Sequence, residues 1–277
     1  MKPWRVLARL ALLLCWVAPS PARAWGDDGH RVIGHIASRM LTEQARAALD
    51  ECLTEPGYET LAEAATWPDT HARRFRQFDA MKPYHYVNVP ARARAYDRQR
   101  DCAEGCVVTA LEQFVELLAA PELSLAERRN AVYWVAHLVG DIHQPLHVAH
   151  PDGKGGNLTR VSYLDLGTQN LHWVWDVGLI EQGLNRSSVT PRSWSALAEQ
   201  LLGGLKPSAV RSFQRVTAAE ALVGESLALA KRHAYATSGM VVDEQYVERT
   251  WPVVALQLQM SGVRLAAILN RALARRT

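Results

Sequence analysis

Apolar residues recur at intervals of three and four along most of the chain, the spacing that gathers them on one side of a helix. The pattern is clearest at 30–53 ("HRVIGHIASRMLTEQARAALDECL"), 109–120 ("TALEQFVELLAA"), 126–142 ("AERRNAVYWVAHLVGDI") and 251–273. Alternation with a period of two, the strand signature, is confined to "YHYVNV" and "LTRVSYL". The expected fold class is therefore mainly α, in a single domain. Ser124 followed by Glu127 supplies a capping signal just ahead of the helix over 126–142. The crowding of Gly, Pro, Asp and Asn in "HPDGKGGN" (150–157) predicts a loop. The arginine-rich "RARAYDRQR" (92–100) reads as a solvated loop, with nucleic-acid contact as the alternative.

The first 24 residues follow a different rule. A basic start, an apolar run from Val6 to Val17 and a closing Ala22-Arg23-Ala24 match a secretory leader cleaved before Trp25. The run is too short to span a bilayer, and no later stretch offers about 18 uninterrupted apolar residues. A lipid anchor at Cys15 is the weaker reading, because "LLLC" lacks small residues before the cysteine. The expectation is an exported protein, periplasmic or secreted, whose one domain runs over 25–277. Loss of the leader removes Lys2, Arg5, Arg9 and Arg23, leaving 27 basic against 28 acidic residues, so the formal charge falls from +3 to about −1. Net charge then gives no argument for a nucleic-acid partner. In an oxidising compartment Cys102 and Cys106 of "CAEGC" are expected to form a disulfide, with Cys52 a buried free thiol. Zinc binding by that pair is the poorer alternative, since no second Cys pair exists.

The helix over 126–142 continues into "DIHQPLH", which places His137, Asp141, His143 and His147 among Val, Leu and Ile. His137 and Asp141 are four apart and share a helix face; Pro145 then ends or bends the helix and lets His147 swing back. "LHWVWD" repeats the spacing with His172 and Asp176. One such pair is equally a helix-stabilising contact or a satisfied core histidine. Two pairs flanked by aromatics point further, because an ionised aspartate in apolar surroundings costs several kcal/mol unless it is paired or holds a metal. Mixed imidazole and carboxylate donors suit zinc. Asp69 in "WPDT", His85 in "YHYVNV" and His30 complete a set of five His and three Asp, too many for one tetrahedral ion. A cluster of zinc ions follows, the arrangement that supports in-line phosphoryl displacement. His35 and His143 point away from this set on helical spacing, and His71, His150 and His233 read as surface or supporting residues.

At this point the motifs "WGDDGH", "WPDT", "YHYVNVP", "HLVGDIHQPLHV", "GGN" and "NLHWVWD" resemble, in order and spacing, the zinc-dependent single-strand-specific nucleases of the S-one/P-one type. Their superfamily also contains zinc-dependent bacterial phospholipase C. The resemblance implies a helical fold with a trinuclear zinc cleft. It implies that Trp25 binds one zinc through its free α-amine and carbonyl, with His30. Asp69, His85 and His137 would hold a second, Asp141 would bridge the two, and His147, His172 and Asp176 would hold the third. Asp69 would also orient the nucleophile, and products would carry 5′-phosphates. Tyr86 and Asn88 would form the base site by stacking and hydrogen bonding, Tyr86 being alternatively a core aromatic. Asn157 would line the cleft, or simply serve its turn. Two departures stand out: Asn88 replaces an Asp of several relatives, and Ala72 stands where a basic residue often follows Asp69, which passes phosphate contact to Arg73 or Arg74. The implied partners are single-stranded DNA, RNA and nucleotides, with 3′-nucleotidase activity in addition. A monomer without stable membrane association is expected. Phospholipase C is the alternative, and a non-catalytic zinc-binding protein the third reading.

Overall fold

A helix that is apolar on every side can exist in water only if other elements enclose it. The central helix, Leu125–His143, is of this kind: every residue from Ala131 to His143 is buried. It starts where the capping signal lies, with the Glu127 amide donating to Ser124 Oγ (3.2 Å) and the Ser124 amide donating to Glu127 Oε2 (3.0 Å). Its sheath includes Asp27–Ser38, Val107–Leu118, Ala219–Leu229 and the long C-terminal helix Glu244–Leu273. The computed structural model describes residues 25–150, 154–186, 190–235 and 241–274. The expected leader, 1–24, lies outside the described residues.

The helical expectation holds, with three revisions of detail. The periodic stretch 30–53 is two helices, Asp27–Ser38 and Glu43–Cys52. Thr42 divides them, because its Oγ1 accepts from the Ala45 amide (3.2 Å) and starts a new helix. The C-terminal helix begins at Glu244 rather than near 251, since Asp243 caps the Tyr246 amide at 2.8 Å. Helices Leu179–Arg186, Trp194–Gly203 and Pro207–Phe213 lie outside the periodic stretches singled out above.

Strands are few among the described residues. Arg160–Tyr163, within the expected "LTRVSYL", pairs antiparallel with Thr168–Asn170 and parallel with Val241–Val242. "YHYVNV" is corrected: Arg76–His85 forms a 3-10 helix, and only Val89–Pro90 pairs, in parallel with Ala149–His150. Pro83 has no N–H to give a ladder, and the chain becomes extended only from Tyr86 (φ −151°, ψ 171°). The alternation survives all the same, with Val87 and Val89 buried and Tyr86 and Asn88 exposed.

Cys102 and Cys106 form the expected disulfide, and Cys52 is buried and not disulfide-bonded. "RARAYDRQR" is loop until a short helix at Arg98–Asp101, where Arg98 pairs with Glu112 and Glu220. The C-terminal helix is long and apolar enough to cross a membrane by length and composition, although no unbroken apolar run signals it. Its most apolar window is 72% buried inside the protein, so here it is a core helix.

Candidate metal centre

Several separate pieces of backbone bring the His and Asp residues together. His30 comes from the first helix, which passes so close to the central helix that a Cβ on Gly140 would sit 2.7 Å from the His30 ring. Asp69 lies in the short helix Trp67–Thr70, and His85 closes the 3-10 helix. His137 and Asp141 occupy adjacent turns of the central helix, as their spacing predicts. After Pro145 opens a new turn, Pro145–Val148, His147 comes back toward the same place. Two backbone-directed bonds set that return: the Val87 amide donates to His147 O (2.8 Å), and His147 Nδ1 donates to His85 O (2.8 Å).

Three groups result, in each of which the ligand atoms lie within 4.8 Å of one another: His30, His137 and Asp141; Asp69, His85 and His137; His147, His172 and Asp176. Asp141, fully buried, is common ground. Its Oδ2 lies 3.0 Å from His85 Nδ1 and 3.2 Å from His137 Nε2, and its Oδ1 lies 3.7 Å from His30 Nε2 and 3.5 Å from His147 Nδ1. His30 and His137 stack with centroids 4.1 Å apart, and His147 and His172 stack at 5.0 Å. His172 Nε2 is 3.0 Å from Asp176 Oδ2. That second pair is not on a regular α-helix. Asn170 caps a three-residue turn, Leu171–Trp173, and Asp176 follows in a π-helical turn, Val174–Gly178, a local widening common at functional sites.

Two of the rings are aimed by their far nitrogens. His137 Nδ1 donates to Ala65 O at 2.8 Å, and His172 Nδ1 to Gly155 O at 2.7 Å, which leaves Nε2 of each facing the cluster. The segment at Trp25 joins the same construction: Trp25 is fully buried, and the Gly26 amide donates to Asp176 O at 2.8 Å.

Whether these residues suit a metal is answered by their unmet valences. Both nitrogens of His30, Oδ2 of Asp69, Oδ1 of Asp141, Nε2 of His147 and Oδ2 of Asp176 are buried without a hydrogen-bond partner. A native interior rarely tolerates so many orphaned polar atoms in one place, each costing about 1–3 kcal/mol. The titration balance is equally discordant. Burial, reinforced by the neighbouring His137, pushes His30 well below the ordinary imidazole range. Burial also disfavours charge on His137, yet the Asp141 carboxylate outweighs it and raises that imidazole to about 9. Divalent cations satisfy both observations, and the imidazole–carboxylate donor set fits zinc.

Beside these groups opens a cleft of about 450 Å³. Tyr86, 40% exposed, and Asn88 line it, as do Arg73 and Asn157. Arg74 is exposed and is not among the cleft-lining residues, while Ala72 is buried. Arg73 Nη1 reaches Asp69 Oδ1 at 3.5 Å. His35 pairs with Glu199 (2.7 Å), and His143 bonds Val139 O and Arg264, both away from the cluster. His71 stacks on Trp67 at 5.1 Å, beside Asp69 in the chain, and His233 is partly exposed.

A family model described as S1/P1 Nuclease matches residues 25–274. The chain belongs to the S1/P1 nuclease family. It is similar to "Endonuclease 2" of Arabidopsis thaliana, at 29% identity over 96% of each chain, and to "Endonuclease 3" of the same plant, at 32% over 90% of this chain and 89% of that one. It is also similar to "Nuclease S1" of Aspergillus oryzae (strain ATCC 42149 / RIB 40), at 30% over 89% of this chain and 91% of the relative. This S1/P1 nuclease is accordingly a hydrolase acting on phosphodiester bonds of nucleic acid, which sets the phospholipase C and non-catalytic readings aside. The family depends on zinc, and three side-chain groups here could hold it.

Sequence reasoning passed over several residues of the site, Gln144 and Lys154 among them. Gln144, fully buried, donates its side-chain amide to Asp176 Oδ1 and accepts from the Leu146 amide through Oε1 (2.6 Å). Its signal was its position as the cap before Pro145. Lys154 lines the cleft, and nothing about its place in a Gly-rich loop singled it out.

Proposed function

We propose that this S1/P1 nuclease is an exported enzyme that cleaves single-stranded DNA and RNA to 5′-phosphorylated nucleotides, with 3′-nucleotidase activity as well. One observation carries the reading: eight buried or half-buried His and Asp side chains from distant parts of the chain converge with unmet ligand atoms beside a cleft bearing an exposed aromatic ring. In this reading residues 25–277 form one catalytic domain after cleavage of 1–24. Trp25 would hold one of three zinc ions through its α-amine and carbonyl, with His30. Asp69, His85 and His137 would hold the second, Asp141 would bridge them, and His147, His172 and Asp176 would hold the third.

When bound, zinc supplies Lewis acidity toward phosphoryl oxygen and lowers the pKa of water to about 7. The protein's residues do the rest. Asp69 has one oxygen engaged by Arg73 and the other unpartnered, which suits it to orient an attacking water. Tyr86 offers a stacking face worth about 1–3 kcal/mol per base without regard to sequence, the property that favours unpaired strands. Asn88, one alternation further along the extended segment, is exposed toward the same cleft and can bond a base edge. Arg73, rather than Arg74, stands ready for phosphate. Asn157 donates its side-chain amide to Lys154 O at 3.0 Å, and its Oδ1 is the atom available to substrate. The burial of the C-terminal helix supports a protein without stable membrane association, and a monomer is expected.

The test pairs metal analysis of the mature protein with digestion of single-stranded DNA, RNA, duplex DNA and phosphatidylcholine. Three zinc equivalents and cleavage of the single strands are expected. Release of phosphocholine with the strands intact would overturn the assignment.

A further inference from the structure

The turn that carries Asn157 contains three consecutive residues in the left-handed region: Lys154 (φ 49°), Gly155 (φ 62°) and Gly156 (φ 86°). Gly155 has a reason to be glycine, since a Cβ there would stand 2.5 Å from Leu146 O and 3.4 Å from the His172 ring. Lys154 has none of the usual licence. A side chain with a Cβ is strained at positive φ, and Gly, Asn or Asp would occupy the position at lower cost. The turn tolerates the strain because it is held from several sides: Gly155 O accepts from His172 Nδ1 (2.7 Å), while Lys154 O accepts from the Asn157 amide (3.2 Å) and from its side chain (3.0 Å). Residues kept in costly backbone conformations cluster at functional sites.

The charge around the cleft distinguishes Lys154 further. Arg73 and Lys82 also line it, but each has a carboxylate beside it, Asp69 at 3.5 Å and Asp79 at 2.7 Å. Among the described residues Lys154 has no ion pair. It is exposed, one residue from the backbone that aims His172, and so its ammonium is carried at the rim of the cleft beside the histidines. The scissile phosphate belongs at the buried histidines and aspartates. A cation at the exposed rim suits the next phosphate along the strand.

We infer that Lys154 forms a separate subsite for a phosphate flanking the scissile one, so that the enzyme grips a polynucleotide by at least two consecutive phosphodiesters. This rests on the nuclease reading above. Lys154 is proposed as a binding residue, and its strained backbone is retained for its charge.

The experiment compares the zinc-loaded parent with Lys154→Gly, Lys154→Asn and Lys154→Arg on a twenty-nucleotide oligothymidylate and on a thymidine dinucleotide, over a range of salt. Lys154→Gly relieves the positive φ, so its thermal midpoint should equal or exceed the parent's with zinc content unchanged. Its KM for the long strand should rise on the order of fivefold to tenfold at low salt. The slope of log(kcat/KM) against log salt should flatten by about 0.7, the loss of one phosphate contact to a single strand. Lys154→Asn, neutral and tolerant of the same backbone, should behave alike, whereas Lys154→Arg should restore KM to within about twofold. The dinucleotide has no flanking phosphate, so its KM should shift less. An unchanged KM and slope on the long strand would overturn the subsite, and an equal shift on both substrates would move the contact to the scissile phosphate. A parent that leaves the long strand intact would instead defeat the nuclease reading itself.

Discussion

His137 and His143 sit on the same helix, are both buried, and differ in what their nitrogens touch. His143 is fully satisfied: Nδ1 donates to Val139 O at 2.7 Å, and Nε2 accepts from Arg264 Nη1 at 2.9 Å. Burial, then the Arg264 charge, pushes it down to about 3, so it stays neutral in the fold. Arg264 is in turn paired with Glu225 at 2.7 Å, and Gln257 donates to His143 O at 2.6 Å. The imidazoles beside His137 are the opposite: both nitrogens of His30 and Nε2 of His147 are buried without a partner, as is Oδ1 of Asp141. One face of the helix therefore serves the core and the other serves the candidate metal centre. A buried histidine is read by its unmet valences, and burial alone does not distinguish the two roles.

The comparison breaks most readily at Asp141, which touches His30, His85, His137 and His147. Asp141→Ala should lose more than one zinc equivalent and reduce activity on the order of 1000-fold, as removal of a shared metal ligand removes both charge stabilisation and positioning. Elemental analysis showing a loss of one equivalent or none would contradict the shared role. Next in size is the chain start. An α-amine within a peptide bond is a poor metal donor, so a variant that retains Ala24 before Trp25 should bind fewer zinc ions than the mature form; full occupancy would remove Trp25 from the ligand set.

Gln144 tests the supporting layer. Gln144→Ala frees Asp176 Oδ1 and should weaken zinc binding roughly 10- to 100-fold, measured by chelator competition, with a smaller change in the unfolding midpoint. The smallest effect belongs to the core face. His143→Gln should keep all its zinc and lose about 1–3 kcal/mol of stability. It also sharpens the contrast through pH. His143 takes up a proton near pH 6.5 when unfolded but only near pH 3 when folded. The unfolded state then binds the extra proton between those values, and parental stability falls as pH falls, by about 1.4 kcal/mol per unit from this group. Denaturant titrations in chelator should show His143→Gln losing that part of the slope, since the remaining histidines contribute to both proteins. Equal slopes would place His143 among solvated groups.

Much of this was legible in the chain. The spacing of three and four located the central helix to within a residue at each end, because capping at Ser124 and Pro145 is local chemistry. The His137–Asp141 spacing placed both on one face for the same reason. Less visible was "YHYVNV", where Pro83 defers the extended backbone to Tyr86, although the in–out alternation of Tyr86, Val87, Asn88 and Val89 was correct. The His172–Asp176 pair met as expected but on a π turn, which depends on packing rather than on a four-residue period.

The amino-acid order by itself determined the helical class, the caps and the inventory of imidazole and carboxylate donors, since each follows from interactions over a few residues. Only the tertiary structure decided which donors meet. His85 reaches His147 through bonds spanning about sixty residues, and Gly26 reaches Asp176 through one spanning 150. It also decided that Arg73 and not Arg74 faces the cleft, that Gln144 backs Asp176, and that Lys154 holds a strained position at the rim. Such contacts form only when the core closes, because no local rule encodes the direction of a side chain relative to a segment a hundred residues away.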